Sequence, residues 1–284
     1  MTDPVISPDG KWMWTGAEWI PAPPTAESVS VSMQDSVIAG DVNITQNNAE
    51  DIATAMVQAL ERMGFSGQST PAELTPSQEK EVGQVLEMSE QLAVHGIEID
   101  PWTEINLGSA AVLIAEYEKG MQHFSTAERK AMENNDKMLL SSVFHGQADI
   151  YRFLGFHEKS ANCYRKAMEL RESIGEKSTS HIQGLAVVAL NQGKFSEAAE
   201  LFHQVIQLEE EVQLLDSGES NLANAYRGLS QLEISLGNYE KALYYENKGL
   251  EVLKEEPNPE RLANAFNGLG IIAKKRGDLA EAER

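Results

Sequence analysis

The side chains of this sequence that carry chemistry fall into two groups: six histidines with one cysteine, and a recurring row of amides and guanidiniums. The histidines are His95, His123, His145, His157, His181 and His203, and none stands in a His-x-x-x-His or His-Glu-x-x-His pair. A helical zinc site needs two imidazoles one turn apart, so no metal is expected. Cys163 is alone, which rules out an intrachain disulfide and a cysteine zinc cluster. Nothing near it is arranged to make a thiolate. His145 and Asp149, four apart on a predicted helix, read as a hydrogen bond and not as a catalytic dyad. No phosphate loop, Gly-x-Gly-x-x-Gly or Gly-x-Ser-x-Gly occurs. The expectation is a protein with no catalytic residue, metal or cofactor. The second group predicts recognition. Asn224, Asn264 and Asn267 each offer one acceptor and two donors in a rigid plane, which can pair with the backbone of an extended peptide whatever its sequence. Arg152, Arg227 and Lys274 can engage carboxylates, the arginines through two parallel hydrogen bonds. The matching ligand is an extended, acidic peptide or tail.

The elements that must position these groups recur at intervals near forty residues. Leu222-Ala223-Asn224-Ala225-Tyr226 with Gly228-Leu229 returns as Leu262-Ala263-Asn264-Ala265-Phe266 with Gly268-Leu269. Gly237-Asn238-Tyr239 with Ala242 returns as Gly277-Asp278-Leu279 with Ala282. Earlier copies are Gly193-Lys194-Phe195 with Ala198 and Phe202, Gly155-Phe156-His157 with Ser160 and Tyr164, and Ala115-Glu116-Tyr117 with Gly120 and Phe124. Turns are therefore predicted at 115, 155, 193, 237 and 277, each joining two helices of one unit.

Leu107-Gly108, Leu269-Gly270 and Ala198-x-x-x-Phe202 resemble the tetratricopeptide repeat, in its long form similar to the repeats of kinesin light chains, Pins-type scaffolds and Rap-type peptide receptors. The likeness covers roughly residues 100 to 284. It implies a mainly α solenoid in which Ala148, Ala186, Ser230 and Gly270 let paired helices approach while aromatics at 164 and 202 fill the wedge between pairs. Three features depart from the pattern: no Trp holds the early aromatic position of the later repeats, Glu246 stands where an aromatic is expected with Tyr245 just before it, and no Pro closes each unit. The first helix of every pair is expected to line the concave side. Its row holds Ser142, His145, Asp149 and Arg152, then Ser180, Gln183 and Val187, then Asn224, Arg227 and Gln231, and finally Asn264, Asn267, Ile271 and Lys274. The candidate groove is His145, Asp149, Arg152, Gln183, Asn224, Arg227, Gln231, Asn264, Asn267 and Lys274.

The 284 residues carry 44 acidic and 23 basic side chains, a net charge of −21. Nucleic acid and anionic membranes are poor partners for such a surface. The N-terminus lacks a signal-like segment and the longest apolar runs are too short to span a bilayer, so a cytoplasmic location is expected. Residues 1–25 read as a Trp-rich β-hairpin turning at Thr15-Gly16 and placing Trp12 opposite Trp19, with Trp12, Trp14 and Trp19 on one face. Asp9-Gly10-Lys11-Trp12, Trp14 and Gly16 to Trp19 resemble small Trp-rich hairpin modules of prokaryotic proteins, and the three Trp residues are either self-stacked or a second interaction face. Residues 26–47 are a short β-prone segment, 48–64 an amphipathic helix, 65–75 a linker and 76–284 the helical array of five repeats, the last incomplete. The helix at 48–64 either caps the array or pairs with its own copy. Leu269, Ile272, Ala273 and Leu279 are expected to be half covered at the end of the array, which points to a longer natural chain or to stacking on another molecule. The function expected from all this is a protein-interaction scaffold that binds a peptide in its groove. Two alternatives stay open: a peptide-responsive regulator, or the sensor part of a longer enzyme.

Overall fold

The computed structural model describes residues 5–6, 12–14, 19–21, 49–66, 70–71, 73–213, 221–255 and 259–278. The chain divides into two units, residues 1–39 and 40–284. In the first, β1 (Val5–Ile6), β2 (Trp12–Trp14) and β3 (Trp19–Pro21) pair antiparallel in that order. The register sets Trp14 opposite Trp19 and Trp12 opposite Pro21. A two-residue turn would instead have set Trp12 opposite Trp19. The intervening residues 15–18, the Trp side chains and the β-prone segment 26–47 lie outside the described residues.

The second unit is helical. Its elements are α1 (Ala49–Arg62), α2 (Pro76–Val94), α3 (Pro101–Leu113), α4 (Tyr117–Glu133), α5 (Lys137–Phe153) and α6 (His157–Glu172), followed by α7 (Thr179–Asn191), α8 (Phe195–Gln213), α9 (Leu222–Ser235), α10 (Tyr239–Glu255) and α11 (Pro259–Arg276). Local chemistry sets the starts. Thr75 and Gln78 form a reciprocal capping box ahead of Pro76. Asp100 accepts from the backbone of Trp102 and Thr103, and Asp136 from that of Leu139. The stripe of α1, Ile52, Met56, Ala59, Leu60 and Met63, is buried, and the helix packs on α2 and α3. Of the two roles open to it, α1 takes that of a cap. Among the described residues, no helix is long and apolar enough to cross a membrane.

All five turns predicted from the repeat share one conformation. Ala115, Gly155, Gly193, Gly237 and Gly277 have φ of 61°, 77°, 72°, 77° and 87°, the left-handed region that a side chain disfavours. The next residue's N–H then reaches back five residues to a carbonyl: Glu116 to Ala111, Phe156 to Tyr151, Lys194 to Ala189, Asn238 to Glu233 and Asp278 to Ala273, all at 2.8–2.9 Å. This closes the first helix of each pair and reverses the chain within three residues.

Successive pairs stack through a second repeated device. Phe124 of α4, Tyr164 of α6 and Phe202 of α8 are buried, and the far end of each ring abuts a glycine of the next pair's first helix. A Cβ on Gly146 would lie 2.1 Å from the Phe124 ring, one on Gly184 2.3 Å from Tyr164, and one on Gly228 2.3 Å from Phe202. Only a missing side chain admits that approach. The first helices touch one another along the series α3, α5, α7, α9 and α11, and the second helices make no comparable contacts. The array therefore curves with the first helices on the inner side. At its far end Ile272 and Ala273 are buried rather than half covered, because α11 lies against both α9 and α10. The exposed apolar residues there are Phe266 and Ile271.

One joint buries an ionisable ring. His181 at the start of α7 is 2% exposed, with Nε2 3.5 Å from the Ser141 hydroxyl. Ser141 donates to the Ala167 carbonyl and accepts from Arg171, whose guanidinium also pairs with Glu176. Burial, then His145 and Arg171, lower the His181 pKa to about 3.

Two predictions follow from these joints. Helix propensity alone favours Gly→Ala by about 1 kcal/mol, and Gly83→Ala, with open space around the new methyl, should raise the thermal midpoint accordingly. Gly146→Ala should lower it, because displacing the Phe124 ring costs about 1–3 kcal/mol; a higher midpoint in Gly146→Ala would refute the seat. For His181 the unfolded chain takes up a proton near the ordinary histidine value while the folded chain resists until about pH 3, so stability present at neutral pH is lost as pH falls through that window. The melting temperature of His181→Gln should fall less than that of the wild type between about pH 7 and pH 5; parallel slopes would contradict this.

Candidate interaction groove

On the inner side of α5 three residues of the predicted row meet. His145 Nε2 is 3.4 Å from Asp149 Oδ2, and Arg152 donates to Asp149 Oδ1 at 2.8 Å. The Tyr164 hydroxyl, reaching over from α6, donates to the same oxygen at 2.7 Å. Burial by itself would raise the Asp149 carboxyl, but His145, Arg152 and Tyr164 outweigh it and hold it below the usual carboxylate range. Tyr164 is pushed well above its ordinary value by burial and by Asp149. The Arg152 guanidinium also lies 4.2 Å above the Phe153 ring. Its charge is therefore matched inside the protein, and this stretch is a polar wall with an internal ion pair. The His145 ring stands edge-on to Tyr164 and to His181, at 5.4 and 5.0 Å between centroids.

Further along, the side chain of Gln183 on α7 is partly buried, and its carbonyl oxygen has no hydrogen-bond partner among the described residues. Between α9 and α11 the row opens into a shallow, solvent-open depression. Its floor is Ala223, Gly249, Leu253 and Ala265, and its rim is Asn224, Arg227, Glu246, Arg261 and Asn264. The repeat brings Asn224, Arg227 and Asn264 to one place because α9 and α11 share a register forty residues apart and lie side by side. Gln231, Asn267 and Lys274 are exposed and outside that lining.

Four participants were not read from the sequence. Tyr164 was assigned to the wedge, and its hydroxyl, which reaches Asp149, was passed over. His181 shares the face of Gln183 but carries no metal-type spacing. Arg261 precedes the aligned part of its repeat. Glu246 was seen as a departure from the pattern, without the consequence that a carboxylate is then buried, 2% exposed, in an aromatic's place.

Two other groups were tested for chemistry. His123 Nδ1 lies 2.7 Å from Glu104 Oε2, and Nε2 lies 3.4 Å from Ser89 Oγ, the atoms of a Ser-His-Glu relay. The Ser89 hydroxyl is 1% exposed and donates to the Leu86 carbonyl at 2.7 Å, so its proton is directed away from the imidazole and no substrate carbonyl can reach it. The contact ties α2 to α3 and α4. Cys163 is partly buried, and burial pushes its thiol up, away from reactivity. Among the described residues no three His, Cys, Asp or Glu side chains converge as a metal site.

Comparison with known proteins agrees with this architecture. Two tetratricopeptide-repeat models match, one over residues 141–174 and the other over residues 176–255. The crystal structure of BtubC (BKLC) from P. vanneervenii superposes with a TM-score of 0.53 at 20% identity, over 83% of this chain and 87% of that one. A putative kinesin light chain with nearly identical repeats from Podospora anserina gives 0.54 at 12% identity, over 75% and 99%. At such identities these two likenesses speak to the fold alone. No curated protein matches by sequence. The repeat models fall on units whose left-handed turns and ring-on-glycine seats are described above, and over residues 141–174 and 176–255 the chain carries tetratricopeptide repeats.

Proposed function

We propose that this chain is an interaction scaffold that holds an extended, acidic peptide along the inner faces of α7, α9 and α11. Tetratricopeptide repeats serve protein–protein association in general, and the finer reading rests on the depression between α9 and α11. There two amides one repeat apart, Asn224 and Asn264, flank an apolar floor. Amides so spaced suit the alternating donors and acceptors of an extended backbone, since each supplies both. Arg227 on the same rim can meet a carboxylate on the ligand through two parallel hydrogen bonds. The orphaned Gln183 carbonyl, one pair earlier, suits a peptide N–H. The net charge of −21 slows encounter with an acidic ligand at low ionic strength, so selectivity has to come from the rim at contact distance.

Selection of random dodecamers on the intact chain, followed by fluorescence anisotropy with the selected peptides, tests this. The selected peptides should be rich in Asp and Glu. Asn224→Ala, Arg227→Ala and Asn264→Ala combined should weaken binding at least tenfold at unchanged helicity, given about 1 kcal/mol per neutral hydrogen bond and about 1.5–3 for a charged one. Selection of basic peptides, or equal affinity in the triple variant, would sink the proposal.

A further inference from the structure

The ring-on-glycine seat occurs at four successive joints, and the fourth is built differently. Phe124, Tyr164 and Phe202 fill the seats at Gly146, Gly184 and Gly228, whereas the residue against Gly268 is Glu246, to which a Cβ on that glycine would come within 2.5 Å. The carboxylate is as deeply buried as the rings it replaces. It is also thinner than a ring, and the depression between α9 and α11 opens beside it. The groups around it are few: Arg227 and Ser230 from α9, and Arg261 and Asn264 from α11. No ion pair closer than 4.0 Å joins Glu246 to a described residue, in contrast to the bonded Asp149. At three joints the seat on the glycine is thus filled by a ring, and at the fourth by a desolvated carboxylate.

We propose that the α10–α11 joint is a hinge tightened by protons: with Glu246 ionised α11 separates from α10 and α9 readily, and protonation of Glu246 closes it. Burial raises the Glu246 carboxyl above the ordinary value, and the Ser230 hydroxyl and Arg227 only partly offset this. A group whose folded value is raised gives its full contribution below the unfolded value and loses it as pH climbs through the folded one. The joint is therefore tightest in mild acid and loosens toward neutrality. On the groove reading given above, the same hinge sets the separation of Asn224 from Asn264, and so regulates that site. The joint itself is tested with no peptide present, so either idea can fail while the other stands.

Hydrogen exchange of the full chain, corrected for the intrinsic pH dependence of exchange, reads α11 against α9 in the same sample. In the wild type, α11 protection relative to α9 should be higher at about pH 5 than at about pH 7.5. Glu246→Gln, isosteric and uncharged, should show the same ratio at both pH values. Glu246→Phe, which restores the ring of the other three joints, should raise α11 protection at neutral pH by about tenfold over the wild type, since a buried charge imperfectly paired costs on that order. A pH dependence that persists in Glu246→Gln, or α11 protection equal in all three proteins at neutral pH, would overturn the hinge.

Discussion

The array depends on one contact repeated at its first three joints: an aromatic ring from the second helix of one pair pressed on a glycine in the first helix of the next. At 2.1–2.3 Å from a notional Cβ to the ring, no other residue fits without moving the helix or the ring. A glycine inside a helix costs about 1 kcal/mol in propensity, so the close approach offsets a local penalty at every joint. The ring fills the wedge and the glycine sets its depth, and together they fix how far each pair is rotated from the one before. That rotation decides which face of the first helices turns inward.

A second constraint acts within each pair. The left-handed residue at 115, 155, 193, 237 or 277 reverses the chain and returns an N–H to a carbonyl five residues earlier. Four of these residues are glycine. Ala115 takes the same conformation at a cost of about 1–2 kcal/mol, carried by the packing of the first pair around Phe124. Buried polar groups bind the helices further: Ser141 with Arg171 inside one pair, and Ser89 of α2 with His123 and through it Glu104 of the first pair. They satisfy one another across helices and leave no route by which a substrate would reach Ser89.

Much of this was legible before any coordinate. The five turn positions, the paired helices and the aromatics at 164 and 202 follow from periodicity, which is local. Gly146, Gly184, Gly228 and Gly268 stand at intervals matching the repeat, but a glycine in a helix does not announce the side chain that will lie on it. The contacts that were missed cross from one helix to another. Tyr164 reaches Asp149 over the inner edge, and His181 lies under His145. The Arg152 charge is met by Asp149 in the protein itself, whereas residue type alone suggested it was open to a ligand. At the N-terminus the β2–β3 pairing runs in another register from the one a Thr15-Gly16 turn would give, since strand composition alone does not fix where the chain reverses.

The seat is tested most directly by a double-mutant cycle on one joint, combining Phe202→Leu with Gly228→Ala and following denaturant unfolding. Because the methyl added at 228 has the ring as its obstacle, Gly228→Ala should destabilise the wild type and cost far less once the ring is gone, a coupling of about 1 kcal/mol or more. Additive effects of the two substitutions would mean that the ring and the glycine do not hold successive pairs together.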